Sequence, residues 1–144
     1  AHQIVRHRSF SFQEFSQRYA DPEAQGDLFE YSEARLQDTK NRQNSITIDD
    51  QKLQDEWKNR QEEVALAAKY AYDWAIDQGI AKEQARKVLP EGLTKTTLYM
   101  NGTLRSWVHY IELRSANGTQ KEHMDIAKEC AVVIAKIFPM AKDL

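Results

Sequence analysis

Between positions 51 and 78 apolar residues return at steps of three and four. Leu53, Trp57, Val64, Ala67, Ala71, Trp74 and Ala75 form the run, with Arg60 its one break. That spacing predicts a long amphipathic helix. Asp49 or Asp50 is placed to cap its start and Gly79 to end it. Lys82 to Leu89 predicts a shorter helix, stopped by Pro90. A second strong helix is predicted over 103–114, where Leu104, Trp107, Val108 and Ile111 share one face. Arg105 and His109 fall on its polar face beside Glu112. A third helix is predicted from Thr119, because Thr119 and Glu122 have capping-box spacing. Ile126, Ala127, Cys130, Val133, Ile134 and Ile137 supply its apolar stripe, and Pro139 closes it.

Other segments carry a period nearer two. Residues 2–12 alternate loosely and read as extended, as do 94–100. A short strand is predicted over Ser45, Ile46, Thr47 and Ile48, and the rest of 20–50 reads as loop or irregular sheet. Only five glycines and three prolines occur in 144 residues, so elements are long and turns few. The pattern predicts an α+β fold: a helix-rich single domain over residues 1–144, with a small mostly antiparallel sheet and long amphipathic helices.

Composition narrows the function classes. A hydrophobic content of 41% is too high for a disordered chain. No apolar run approaches membrane-spanning length, and the first eight residues lack a signal-peptide layout. A cytoplasmic protein with no membrane partner is expected. The single cysteine excludes an internal disulfide and a multi-cysteine zinc site, and the four histidines lack zinc spacing, so no metal is expected. A net charge of −2 gives no global field for nucleic acid. Yet the first twenty residues hold three arginines against one glutamate, packed among aromatics. Guanidinium forks suit phosphate and carboxylate, so this block reads as a local anion site.

Three constellations carry chemistry, each beside a plainer reading. Arg6 and Arg8 would lie on one side of an extended segment, with His7 opposite, and could hold a phosphate or diphosphate. Ser16 and Arg18 could hold a second anion, and Glu14 a sugar hydroxyl. The plain alternative is a solvated basic edge strand with a phenylalanine-rich underside. Arg86 and Arg114, late in their helices, either bind an anion or complement helix dipoles. Arg105 and His109 either line a ligand site or form an exposed face paired with Glu112. Cys130, on an apolar stripe, reads as an inert core thiol, and the stretches 101–103 and 117–119 read as turns feeding helices.

Taken in order, these segments resemble a known family. Arg6-His7-Arg8, seven residues, then Ser16 is similar to the RHR-x7-S signature of flavin-dependent thymidylate synthases. The string from Phe12 to Tyr19 resembles its extended motif. Ala85-Arg86 through Leu89-Pro90, Leu104-Arg105-Ser106 through Leu113-Arg114, and Thr119-Gln120-Lys121-Glu122 resemble its later segments, in its order and near its spacing. Such enzymes methylate dUMP to dTMP, with methylenetetrahydrofolate as one-carbon donor, FAD as cofactor and NADPH as reductant. They use no enzyme nucleophile on the uracil.

The resemblance implies roles by motif position. Arg6, His7, Arg8, Glu14, Thr103, Leu104, Arg105 and His109 would contact FAD. Gln3, Arg6, Glu14, Phe15, Ser16, Gln17, Arg18, Arg86 and Arg114 would contact dUMP. Arg114 would polarise the uracil ring and be the catalytic residue. It also implies a homotetramer with shared active sites, in which Phe10, Phe12, Trp74 and Trp107 could be buried. The family has a substantial stretch before its RHR motif, whereas only five residues precede Arg6 here. The chain is thus expected to be the C-terminal part of the family domain, with the N-terminal region absent. The alternative is a non-catalytic fragment or nucleotide-binding module that retains the dUMP site.

Overall fold

A computed structural model describes residues 1–16, 27–116 and 118–139. Among these residues run β1 (Ser11–Glu14), β2 (Arg35–Gln37), β3 (Ser45–Thr47), α1 (Gln51–Asp77), α2 (Lys82–Ala85), β4 (Leu98–Asn101), α3 (Leu104–Arg114) and α4 (Lys121–Ile137). β1 pairs with β4, and β2 with β3, as two small antiparallel sheets. The helix-rich α+β class is therefore as predicted. The chain divides into two compact units, one of Ala1–Gln13, Leu36–Ile46 and Leu98–Leu144, the other of Glu14–Arg35 and Thr47–Thr97.

In the first unit α3 packs on α4. Tyr110 and Ile111 are fully buried between them, with Phe10 and Ala127. Phe12, Met100, Trp107, Cys130, Ala131 and Ile134 close around this core. Thr103 caps α3, its Oγ1 accepting from the Ser106 amide at 3.2 Å. The face predicted for α3 is rotated: Ile111 is buried but Leu104 is exposed, and Tyr110 takes the innermost position. On α4 the inner stripe runs through His123, Ala127, Cys130 and Ile134, while Ile126, Val133 and Ile137 are exposed. The predicted capping box does not form. α4 begins at Lys121 without a side-chain cap, and the Glu122 carboxylate accepts from Gln120 instead.

The N-terminal segment differs from its extended reading. Ile4–Arg6 is a 3-10 helix, and the amides of Ile4, His7 and Phe10 each donate to the carbonyl three residues back. A period of three puts His7 and Phe10 on one side. Both rings meet Tyr110 edge-on, His7 at 4.9 Å and Phe10 at 6.0 Å. Only Ser11–Glu14 is strand. Phe10 is buried, Phe12 and Trp107 are half-buried, and of the four expected exposed aromatics only Trp74 is open, at 55%.

In the second unit the Asp50 side chain accepts from the Leu53 amide and starts α1, and Gly79 follows it at φ +74°. The length is as predicted, but the buried face is Gln61, Ala65, Ala68, Tyr72 and Ala75. Leu53, Trp57, Val64 and Trp74 face outward. The reason is Gln61, a polar residue that pattern reading places outside. It is 3% exposed and brackets Ser32, accepting from its amide and donating to its carbonyl, both at 2.9 Å. Gln54 does the same to Ala34, at 2.7 and 3.0 Å. Tyr72 and Ala75 pack on Ala85. The helix predicted for 82–89 is shorter: α2 ends at Ala85, and Arg86–Val88 is a 3-10 turn before Pro90. β2 falls inside the segment read as irregular and pairs with β3, which ends at Thr47.

One backbone position sets the first unit's packing. A Cβ on Gly102 would lie 2.5 Å from Phe10 Cδ1 and 2.7 Å from Cε1. The Phe10 ring is held in place by Trp107 at 5.0 Å and cannot swing freely. Gly102→Ala should therefore destabilise the fold by about 1–3 kcal/mol, the scale of core overpacking. Urea melts of the variant beside the parent check it.

Candidate functional site

The polar centre of the first unit is built on three anchors. His7 follows the 3-10 turn and turns its ring onto Tyr110. Arg114 ends α3, and His123 sits in the first turn of α4. Arg114 Nε donates to His7 Nε2 at 2.9 Å. A guanidinium nitrogen can only donate, so His7 Nε2 must accept and the ring proton sits on Nδ1. Burial, then the charge of Arg114, then His109, hold the His7 pKa below its ordinary value. His7 is thus neutral, and it fixes the plane of the Arg114 guanidinium. The two terminal nitrogens of Arg114 take no other described residue as partner.

A second chain of bonds runs beside it and has one direction. Glu122 Oε2 accepts from Gln120 Nε2 at 2.9 Å. Gln120 Oε1 then accepts from Gln3 Nε2 at 3.0 Å. Gln3 Oε1 faces His123 Nδ1 at 3.0 Å, and His123 Nε2 faces the Tyr110 hydroxyl at 3.0 Å. A carboxylate only accepts, so the order is forced from the Glu122 end. His123 donates through Nδ1 and accepts the Tyr110 proton at Nε2. Burial, then Arg114 and His7, push the His123 pKa down to about 4. Burial pushes the Tyr110 phenol up to about 12. Both shifts suit a neutral imidazole receiving a phenolic proton.

The remaining predicted residues separate by unit. Arg6, Arg8, Arg105 and His109 are exposed in the first unit, and no hydrogen bond or ion pair ties the three arginines to another described residue. Leu104 is exposed, and the Thr103 hydroxyl is engaged with Ser106 at the start of α3. Glu14, Phe15, Ser16 and Arg86 belong to the second unit. There Glu14 Oε1 accepts from Thr96 Oγ1 at 2.9 Å, and the Phe15 amide donates to the Thr97 carbonyl. Ser16 is exposed, and Arg86 is exposed at the start of its 3-10 turn. That turn follows a four-residue helix, which leaves little dipole for Arg86 to complement. Gln17 and Arg18 lie outside the described residues.

Of the predicted set, the structure brings Gln3, His7 and Arg114 to one centre. Sequence reading missed Tyr110, His123 and Gln120 there. A signal existed for His123, which precedes Ala127 by four residues and so shares its inward face. Cys130 is partly buried with its pKa raised, by burial first, in keeping with a core thiol. Among the described residues no group of three or more His, Cys, Asp and Glu is placed to hold a metal ion. No helix among them is long and apolar enough to cross a membrane.

An arginine anchored at Nε, three exposed arginines and a glutamine held at both ends are chemically suited to an anionic, hydrogen-bonding ligand. The chain matches the family described as thymidylate synthase complementing protein over residues 1–140, and it belongs to that family. It is 49% identical over 142 residues to a probable flavin-dependent thymidylate synthase of Paramecium bursaria Chlorella virus 1, covering 96% of this chain and 62% of the relative. A flavin-dependent thymidylate synthase of a Synechocystis species is 46% identical over 139 residues, with the same two coverages. Among solved structures, the UMP/dUMP methylase PolB from Streptomyces cacaoi, bound with 5-Br dUMP, is similar at 26% identity. Its TM-score is 0.75, over 94% of this chain and 61% of that one. The chain thus spans about three-fifths of the length of these relatives.

The two neutral histidines make a pH prediction. Unfolded histidine takes its proton near pH ~6.5, whereas folded His123 resists it until about 4. The stabilisation from neutral His123 is complete above about pH 6.5 and is lost as pH falls toward 4. His7 acts in the same direction. Urea melts should show stability falling through this window, and the NMR signals of His123 should titrate near its lower edge. A His123 titration near 6.5 would contradict the assignment.

Proposed function

We propose that this chain is part of an enzyme that methylates dUMP to dTMP, with methylenetetrahydrofolate as one-carbon donor, FAD as cofactor and NADPH as reductant. The observation that carries the reading is the Arg114–His7 bond. It sets a guanidinium with its terminal nitrogens open in the centre where Gln3 is also held. A fixed cation at that place favours negative charge developing on a pyrimidine, and so makes C5 a better nucleophile. No protein nucleophile is needed, which suits the half-buried position and raised pKa of Cys130.

The donor set fits a diphosphate-bearing flavin. Arg6, Arg8 and Arg105 are exposed cations with no bond to another described residue, suited to bidentate phosphate contact. His7 adds its Nδ1–H, since Nε2 is taken. His109, Glu14, Thr103 and Leu104 complete the proposed cofactor contacts. When bound, the flavin supplies the reducing equivalents. For dUMP we assign Gln3, Arg6, Glu14, Phe15, Ser16, Gln17, Arg18, Arg86 and Arg114. Arg18 and Arg86 serve the phosphate, and Arg114 is the catalytic residue. We assign a homotetramer with shared active sites, working in the cytoplasm. The relatives' names and the UMP/dUMP methylase fold support the reading.

Two measurements test it. A purified sample should be yellow and elute with FAD at tetramer size when dUMP is added. A colourless protein that binds dUMP would favour the non-catalytic nucleotide-binding reading. Arg114→Ala should keep the fold yet lower the rate of dTMP formation by about 10²–10³-fold, the scale of losing one preorganised charge donor. Unchanged turnover would remove Arg114 from the chemistry.

A further inference from the structure

The buried histidine of α4 is used by nothing in the reading above, yet it is among the most deliberately placed side chains in the first unit. His123 is 5% exposed. Its two nitrogens touch different things: Nε2 meets the buried Tyr110 hydroxyl, and Nδ1 meets the exposed Gln3. We propose that His123 is a positioning residue that, with Tyr110, fixes which way the Gln3 carboxamide faces its ligand. The proposal rests on the reading that Gln3 contacts the pyrimidine nucleotide.

A free glutamine amide can turn over, exchanging its oxygen for its nitrogen with little change in shape. Such a residue offers donor and acceptor interchangeably and discriminates poorly. Gln3 is denied that freedom. Its oxygen is held by the Nδ1–H of His123 and its nitrogen by the Gln120 oxygen. The hold is one-sided because the Glu122 carboxylate can only accept, which turns the Gln120 oxygen to Gln3 and the Gln3 oxygen to His123. The imidazole hydrogen therefore stays on Nδ1, and Nε2 accepts from the Tyr110 hydroxyl. Each amide atom of Gln3 keeps half its bonding capacity: one N–H and one oxygen lone pair. The nucleotide therefore meets a donor and an acceptor in a fixed order, with the orienting cost already met in the free protein.

His123 cannot simply be truncated, because the Tyr110 hydroxyl would be left buried without an acceptor. The paired variant Tyr110→Phe with His123→Leu removes both polar partners and keeps an apolar core, a change that folds tolerate well. Introduced into the protein that binds dUMP, the pair should weaken dUMP binding about tenfold, the worth of one net hydrogen bond. The turnover number at saturating dUMP should stay within a factor of about two, since the chemistry at Arg114 is untouched. Tyr110→Phe with His123→Asn, which keeps a donor near the Nδ1 position and leaves no hydroxyl unpaired, should recover most of the affinity. Combined with Gln3→Ala, the pair should add no further loss. In the ligand-free protein, nitrogen-15 shifts should place the His123 proton on Nδ1.

Each result decides something. Losses that add to that of Gln3→Ala, or a proton on His123 Nε2, overturn the positioning role while leaving Gln3 as a nucleotide contact. Unchanged dUMP affinity in Gln3→Ala itself overturns the contact and the positioning role together. Full non-additivity with rescue by the paired Tyr110→Phe and His123→Asn variant establishes the role.

Discussion

Burying the Tyr110 hydroxyl at 1% residue exposure creates a demand that one atom must meet. An unpaired buried hydroxyl costs about 1–3 kcal/mol, so an acceptor has to be built opposite it. His123 Nε2 is that acceptor, and it comes from the neighbouring helix. The bond therefore ties α3 to α4 at the same level where Ile111 and Ala127 pack. The polar side chains of the site are arranged around it. His7 stacks edge-on against the same phenol, Arg114 borrows its orientation from His7, and Gln3 borrows its own from His123.

This arrangement keeps two imidazoles neutral close to a permanent cation. Arg114 discourages protonation of both, and burial does more of the work. The cation's charge is thus not answered by a carboxylate at close range among the described residues. An arginine whose Nε is satisfied by a neutral ring retains its full charge for whatever anionic or electron-accepting group arrives. A salt bridge at the same place would have spent it.

Much of this was legible beforehand, and the rest fails for identifiable reasons. The three main helices follow from spacing, and Asp50 was readable as a cap because a short polar side chain at a helix start has few other uses. The inner face of α1 was not readable. Ala65 and Ala68 are small, and the pattern instead favoured the larger Leu53, Trp57 and Trp74, which face outward, so that Ala75 is the buried member of the predicted run. Hydrophobic size marks a stripe, but only a partner decides which stripe is buried. The opening segment misled through its arginines, whose alternation mimics a strand while the backbone turns every three residues. Within the site, arginine and motif spacing pointed to Gln3, His7 and Arg114. Tyr110 and His123 looked like ordinary helix residues, because a buried polar pair leaves no mark in sequence until both partners are seen together.

The grip of Gln54 and Gln61 on Ser32 and Ala34 has a different kind of consequence. Both glutamines bond main-chain amides and carbonyls there. They read the path of the segment and ignore most of its lettering. Neither bond at 34 uses its side chain, although Ala34 is buried and has to stay small; at 32 only the Ser32 hydroxyl adds a share of its own. Proline alone is barred from both positions, because each must keep its N–H. Two helix positions thus act as a template for the main-chain path of the connection, whatever most of its exposed side chains are.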